Sequence, residues 1–420
     1  MNTITGFITL ILLLICTAGY DQGIALYSVT NARQPGPNSG YTLDGEFMQS
    51  SRLKLLNPYN FGPTGQYRKT ITIIDSFGLS GSLSGVTSLP LNALFFFGAF
   101  NLDDGSMHPF TGVELDSLYV WSKRGGKVII AESSSVPSYT YNAAALNSIW
   151  GFDIAYSPSE LIVPNAAGAQ TLLFNGPFGV VTSAAQGGFA QGYISPLPVN
   201  SVVLGENTNT VPTAVLDCNT LDLIVGDVDA YTSVGALSVG SGVVNLQDKF
   251  WANTIAFMDQ LEGPPIITQS GTLLSTGSYA SYQWYLNGVA VDGQNLQQYS
   301  IEGNGAYSVE VTLQCGCKLM SDTITVDNYK NKFIVHSAFT PNGDGKNDVL
   351  YVKGKDLEEV NFSIYDRWGE RVFESHNPNY GWDGNFNGRP MQPQVLLYYV
   401  EVKFTNGETD KGKGSLTLLR

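Results

Sequence analysis

The chain has 420 residues, a formal net charge of −14 and only 14% charged residues. That balance argues against a nucleic-acid partner, which needs a basic face, and the length exceeds one ordinary core, so two or three domains are expected. Four cysteines and three histidines rule out a dense disulfide framework and argue against a zinc or haem centre.

At the start, residues 4–15 form an apolar run broken only by Thr and Gly, followed by the small residues Thr17, Ala18 and Gly19. The run is too short to span a bilayer and suits the apolar region of a signal peptide over residues 1–20. Cys16 follows Ile15 rather than a small residue, so ordinary cleavage near Ala18–Tyr20 is expected, not lipid modification. No later segment is long and apolar enough to form a transmembrane helix.

Residues 21–262 read as strands alternating with helices. Strands are expected at 24–30, 69–75, 93–99 and 127–132, all rich in β-branched or aromatic residues. A helix over 48–57 closes at Asn57-Pro58, and a second over 113–123 stops at Gly125-Gly126. Residues 153–212, rich in Gly, Ala, Pro and Asn, read as an insertion of loops and short strands. The pattern resumes with strands at 214–217 and 221–227 and a helix over 247–261, whose apolar stripe includes Phe250, Trp251, Ile255 and Met258. The expected fold is an α/β three-layer domain with a parallel sheet covered on both faces. Its order of elements resembles the glutamine-amidotransferase-like fold. That resemblance implies a Cys on a strand-to-helix elbow with a His partner. Here Ser133-Ser134-Ser135 follow the strand KVIIAE, and no His lies between His108 and His336. A Cys–His mechanism is therefore not expected.

Glu262-Gly263-Pro264-Pro265 signals a linker. Residues 264–327 then alternate with period two and carry Trp284, Asn287-Gly288 and Tyr307, the cues of a small antiparallel β-sandwich. YQWYLNGVAVDG and GNGAYSVEVTLQCGCKLMSDTITV resemble the Trp strand, the G-x-Y-x-V strand and the Cys-containing turn of Ig-like modules. Such modules act as spacers or binding platforms. Cys218, Cys315 and Cys317 remain after the leader, an odd number, and Cys315-Gly316-Cys317 is too tight for an easy bridge within itself.

The last segment, 332–420, carries FTPNGDGKNDVL, FSIYDRWGERVFES, YGWDGNFNG and a terminal KGSLTLLR. These blocks, in that order, resemble the gliding-motility-associated C-terminal domain, a type B sorting signal of the type IX secretion system. The resemblance implies a second small β-sandwich, export through the periplasm to the outer surface or medium, and the secretion machinery as partner. One departure is Pro393-Gln394-Val395, where the family usually carries Gly, so an altered turn is expected at Gln394.

Two groups of residues are candidate sites. Asp75, Asp103, Asp104, Asp227 and Asp229 stand at or after strand ends, where open α/β sheets place ligands. If the strands are adjacent, these acids line one crevice and hold a cation or a sugar hydroxyl; the plainer expectation is that they cap helices and turns. In the loop 341–348, Asn342, Asp344, Asn347 and Asp348 offer oxygens at calcium-like spacing, against the expectation of a turn closed by its own side chains. The combined expectation is an exported protein with a non-catalytic binding or structural N-terminal domain and no cofactor beyond calcium. The alternative is a secreted hydrolase of carbohydrate or another polymer, acting through the acidic cluster.

Overall fold

The computed structural model describes residues 23–29, 41–77, 83–99, 112–132, 143–156, 161–186, 192–327 and 329–420. The leader at 1–20, Asp103, Asp104, His108 and Ser133-Ser134-Ser135 lie outside the described residues. β1 (Ile24–Val29), β2 (Ile71–Phe77), β3 (Leu94–Ala99) and β4 (Lys127–Glu132) run parallel in the order β2-β1-β3-β4. The strand Asp222–Val225 joins β4, also parallel. Beyond it Pro212–Asp217, Ser201–Glu206, Leu161–Pro164 and Ala184–Ala185 continue the sheet antiparallel.

The sheet is therefore mixed, which corrects the purely parallel expectation. The reason lies in chain length. Only residues 218–221 separate Pro212–Asp217 from Asp222–Val225, whereas a parallel crossover needs about a dozen residues. The connection is a hairpin, with Leu221 at φ 62°.

Both faces of the sheet are covered. In β3, Phe95 and Phe97 point to one face and Leu94 and Phe96 to the other, all at 1% exposure or less, which is why the strand reads as an unbroken apolar run. Phe95 and Phe97 pack with Leu115, Leu118 and Trp121 of α2 (Gly112–Lys123) and Leu146 and Trp150 of α3 (Ala143–Trp150). Leu94 and Phe96 belong to the cluster holding Leu55 of α1 (Gln49–Leu56) and Phe250, Trp251, Ile255 and Met258 of α4 (Leu246–Gln260). Asn245 and Asp248 form a capping box that starts α4. At its far end Lys127 donates to the Met258 carbonyl at 2.7 Å, placing a cation at the helix C-terminus.

Residues 264–327 form two antiparallel sheets. Thr268–Ser270, Leu273–Ser275 and Gln298–Ser300 make one. Ser281–Leu286, Val289–Ala290, Gly305–Thr312, Lys318–Met320 and Ile324–Val326 make the other. Tyr299 of the first sheet meets Trp284 and Tyr307 of the second at ring-centroid distances of 5.6 Å each. The hairpin after Ser281–Leu286 turns at Asn287 and Gly288, with φ 52° and 76°, the left-handed pair that Asn-Gly favours.

The sandwich is not merely tethered. Cys218, just past Pro212–Asp217, is disulfide-bonded to Cys317 of the sandwich across 99 residues of sequence. One continuous cluster of buried apolar side chains runs from the α1/α4 face of the sheet through Leu274, Trp284 and Val309. A bond and a shared core thus join the two regions.

The C-terminal region has its own core. Its main sheet runs Ala338–Phe339, Thr409–Leu418, Gln394–Phe404, Leu357–Tyr365, Arg371–Ser375. Phe362, Ile364, Trp382, Leu396, Val400 and Leu416 fill one face. Gln394, expected in a turn, begins its strand and pairs with Leu418.

Candidate functional site

The C-terminal motifs build one object. FSIYDRWGERVFES folds as the hairpin of Leu357–Tyr365 and Arg371–Ser375, turned at Asp366, whose carboxylate accepts the amides of Trp368 (2.8 Å) and Glu370 (2.9 Å). YGWDGNFNG sends Trp382 into the core at 1% exposure, with its indole N–H on the Asn385 carbonyl at 2.9 Å. The terminal motif is the long strand Thr409–Leu418, paired along most of its length with Gln394–Phe404. Each block therefore sends side chains into the same core, among them Phe339, Phe362, Trp382 and Leu416.

The loop 341–348 is closed on itself. Asp348 accepts the amides of Gly343 and Gly345 at 2.7 Å each, and those bonds hold its carboxyl below the usual range. Asn342 accepts from the Asp344 amide at 3.1 Å, and Asp344 from the Lys346 amide at 2.8 Å. Asn347 sits at φ 55° and its carbonyl accepts the Thr340 amide at 3.0 Å. The side-chain oxygens of Asn342, Asp344 and Asp348 thus face backbone N–H groups. Among the described residues no group of three His, Cys, Asp or Glu side chains is arranged to hold a metal ion.

Among the described strand-end acids, Asp75 stands apart from the Asp227–Asp229 pair. Asp75, on β2, is ion-paired with Arg52 of α1 at 2.7 Å. Asp227 follows the strand four positions across the sheet, about 19 Å away at ~4.8 Å per strand. Asp227 and Asp229 do come together, both buried. Asp227 caps the short turn Val228–Tyr231 by accepting the Asp229 amide at 2.9 Å. Asp229 accepts from Thr232 Oγ1 at 3.0 Å and is hydrogen-bonded to Tyr41; burial raises its carboxyl above the ordinary value despite both bonds. Burial, then the charges of Asp229 and Asp227, pushes the Tyr41 hydroxyl upward in turn. Tyr41 escaped the sequence reading, since an isolated Tyr in a polar loop carries no signal.

The most deeply engaged acid is elsewhere. Asp222 is fully buried and accepts Ser122 Oγ (2.6 Å), the Val128 amide (2.7 Å) and the Trp150 indole N–H (2.9 Å). Burial pushes its carboxyl up to about 6 against those bonds. It ties the sheet to α2 and α3.

With this geometry in view, comparison with known proteins gives a clear result for one region. Residues 333–418 match the family described as the CHU_C Type IX secretion signal domain. The C-terminal region is therefore a type IX secretion signal, and the protein is exported to the outer cell surface or the medium. No curated protein matches the chain. Among solved structures, a provisionally assigned GMP synthase component of Thermoplasma acidophilum is 9% identical, with 56% of this chain and 94% of that one covered, at TM-score 0.32. Fibronectin(III)-like modules of Clostridium thermocellum CbhA are 12% identical, covering 37% and 85%, at TM-score 0.14. The SGBP-B protein of a Bacteroides ovatus mixed-linkage glucan utilization locus, solved with a heptasaccharide, is 16% identical, covering 36% and 42%, at TM-score 0.18. Likeness at those scores establishes neither fold nor function.

Proposed function

We propose that the chain is an exported binding or structural protein whose working part, residues 21–327, is non-catalytic and is carried out of the cell by the C-terminal signal. The observation that supports this most is the separation of Asp75 from the Asp227–Asp229 pair among the described acids. Asp75 is ion-paired with Arg52 of α1, and Asp227 caps its own turn. What is left is Asp229, hydrogen-bonded to Tyr41 and to the Thr232 hydroxyl beside the turn that Asp227 caps. We divide the chain at 21–262, 264–327 and 332–420, with the first part a non-catalytic relative of the glutamine-amidotransferase-like three-layer fold. The loop 341–348 is a self-closed turn in this reading.

The test is incubation of the purified full chain with soluble polysaccharides and peptides, following new reducing ends and amines, beside an Asp229→Asn variant. The expected outcome is no turnover by either. Turnover that Asp229→Asn abolishes without loss of fold would replace this reading with the hydrolase.

A further inference from the structure

We propose that the cleft between the α/β region and the β-sandwich is a binding site for a neutral carbohydrate segment. The inference rests on the binding reading above and names its ligand class. The cleft has a volume of about 330 Å³, within the ~300–1,000 Å³ range of small-ligand sites. Its floor is apolar and comes from both regions, with Phe257 of α4 on one side and Leu313 of the sandwich on the other, each buried. Around the floor stand Gln170, Gln314, Glu262 and Tyr279.

That lining selects a chemistry. No Lys, Arg or His is among the lining residues, so nothing there neutralises a phosphate, sulfate or carboxylate, and the chain's charge of −14 repels polyanions. Side-chain amides both donate and accept, and a carboxylate accepts from two neighbouring groups. Vicinal hydroxyls on a sugar ring present that same mixture, while the C–H face of the ring suits an apolar floor. The aromatic member is held in place before any ligand arrives. The Tyr279 amide donates to the Tyr282 hydroxyl at 2.7 Å, and the two rings meet edge-on at 6.2 Å. The Tyr279 hydroxyl is itself hydrogen-bonded to Glu262. Such fixing lowers the ordering cost of binding.

The two walls of the cleft come from regions joined by a disulfide and a shared core. Cys315, in its wall, lies two residues from Cys317 of the interregional disulfide. Opening that bond removes one of the two links between the walls, the other being the shared apolar core.

The experiment probes the purified full chain against an array of neutral oligosaccharides, their sulfated counterparts and a set of uncharged peptides. Calorimetry on the best neutral glycan follows. Ala280→Trp, an exposed residue on the rim, fills the cleft without touching a core, and circular dichroism confirms its fold. Retention of neutral glycans, weakened about tenfold or more by Ala280→Trp and less by Gln314→Ala, is the expected result. A blank array, preference for sulfated glycans or peptides, or binding indifferent to Ala280→Trp overturns the proposal. A glycan that binds and is then cleaved leaves the cleft standing and breaks the non-catalytic reading instead; a blank array does the reverse.

Discussion

The two ends of this molecule are joined to the middle in opposite ways. The α/β region and the β-sandwich share a buried apolar cluster and a disulfide. The C-terminal domain keeps a separate core of its own, from Phe339 to Leu418. It meets the sandwich through surface contacts such as the Lys355–Glu302 ion pair. An export signal that stands alone in its packing can be read, or lost, without disturbing what it carries. The working part is built the other way, with its two units made to keep one geometry.

The largest effect expected from breaking that comparison is on the disulfide. Replacing Cys218 and Cys317 together by Ser removes a cross-link over 99 residues, which chain-entropy reasoning values at about 4.7 kcal/mol. Differential scanning calorimetry should show the transition of the α/β–sandwich part fall steeply and that of the C-terminal domain stay put. Coincident loss of both transitions would mean that the two parts are one cooperative unit. Trp382→Ala makes the converse cut. It truncates a fully buried indole packed against Phe339 at 5.2 Å and should cost roughly 4 kcal/mol, confined to the C-terminal transition.

A finer probe lies inside the α/β region. Asp222→Asn keeps the shape of a side chain that receives three hydrogen bonds but turns an amide N–H₂ towards at least one donor. It should destabilise by about 2 kcal/mol. The effect carries a pH signature. The folded carboxyl is raised to about 6 from an ordinary 3.8, so the stability it contributes is fully present below pH 3.8 and fades as pH rises through about 6. Urea unfolding of both proteins should therefore show a larger difference at pH 4.5 than at pH 7.5. A difference that grows with pH would contradict the burial argument.

The smallest expected effect concerns the loop 341–348. Asp348→Ala removes an acceptor of two backbone amides on an exposed loop, so a slight fall of the C-terminal transition is expected at neutral pH. Its carboxyl is lowered in the fold, so that contribution is present above the usual carboxylate range and is lost as pH falls through it. Millimolar calcium should leave the transition of the unaltered protein where it is, and a clear upward shift would make the loop a calcium site.

Much of this architecture was legible before any coordinate. Buried strands such as KVIIAE and ALFFFGA declared themselves by unbroken apolar runs, and α4 by its apolar stripe. What escaped was decided by distance in space. The hairpin at 218–221 was readable from the shortness of the connection but was masked by the alternation of strands and helices around it. Cys218 and Cys317 lie 99 residues apart, and no local pattern pairs them once Cys315 offers an equal alternative. The acids at strand ends looked convergent because sequence shows where strands end but not how many strands lie between them. Asp75 and Asp227 stand on opposite sides of three intervening strands. The C-terminal domain was the easiest part to read, since each of its motifs is a local turn or ribbon whose partners lie nearby in sequence.

The central claim, that a self-contained C-terminal domain exports a locked working part, is tested most directly by localisation in the native host. The full chain is compared with a version ending at Asp327, with mass spectrometry of surface, medium and periplasmic fractions. The account predicts that the full chain reaches the outside, while the truncated one stays in the periplasm, folded and with Cys218 still bonded to Cys317. Equal export of both would show that residues 333–418 are not what carries the protein out.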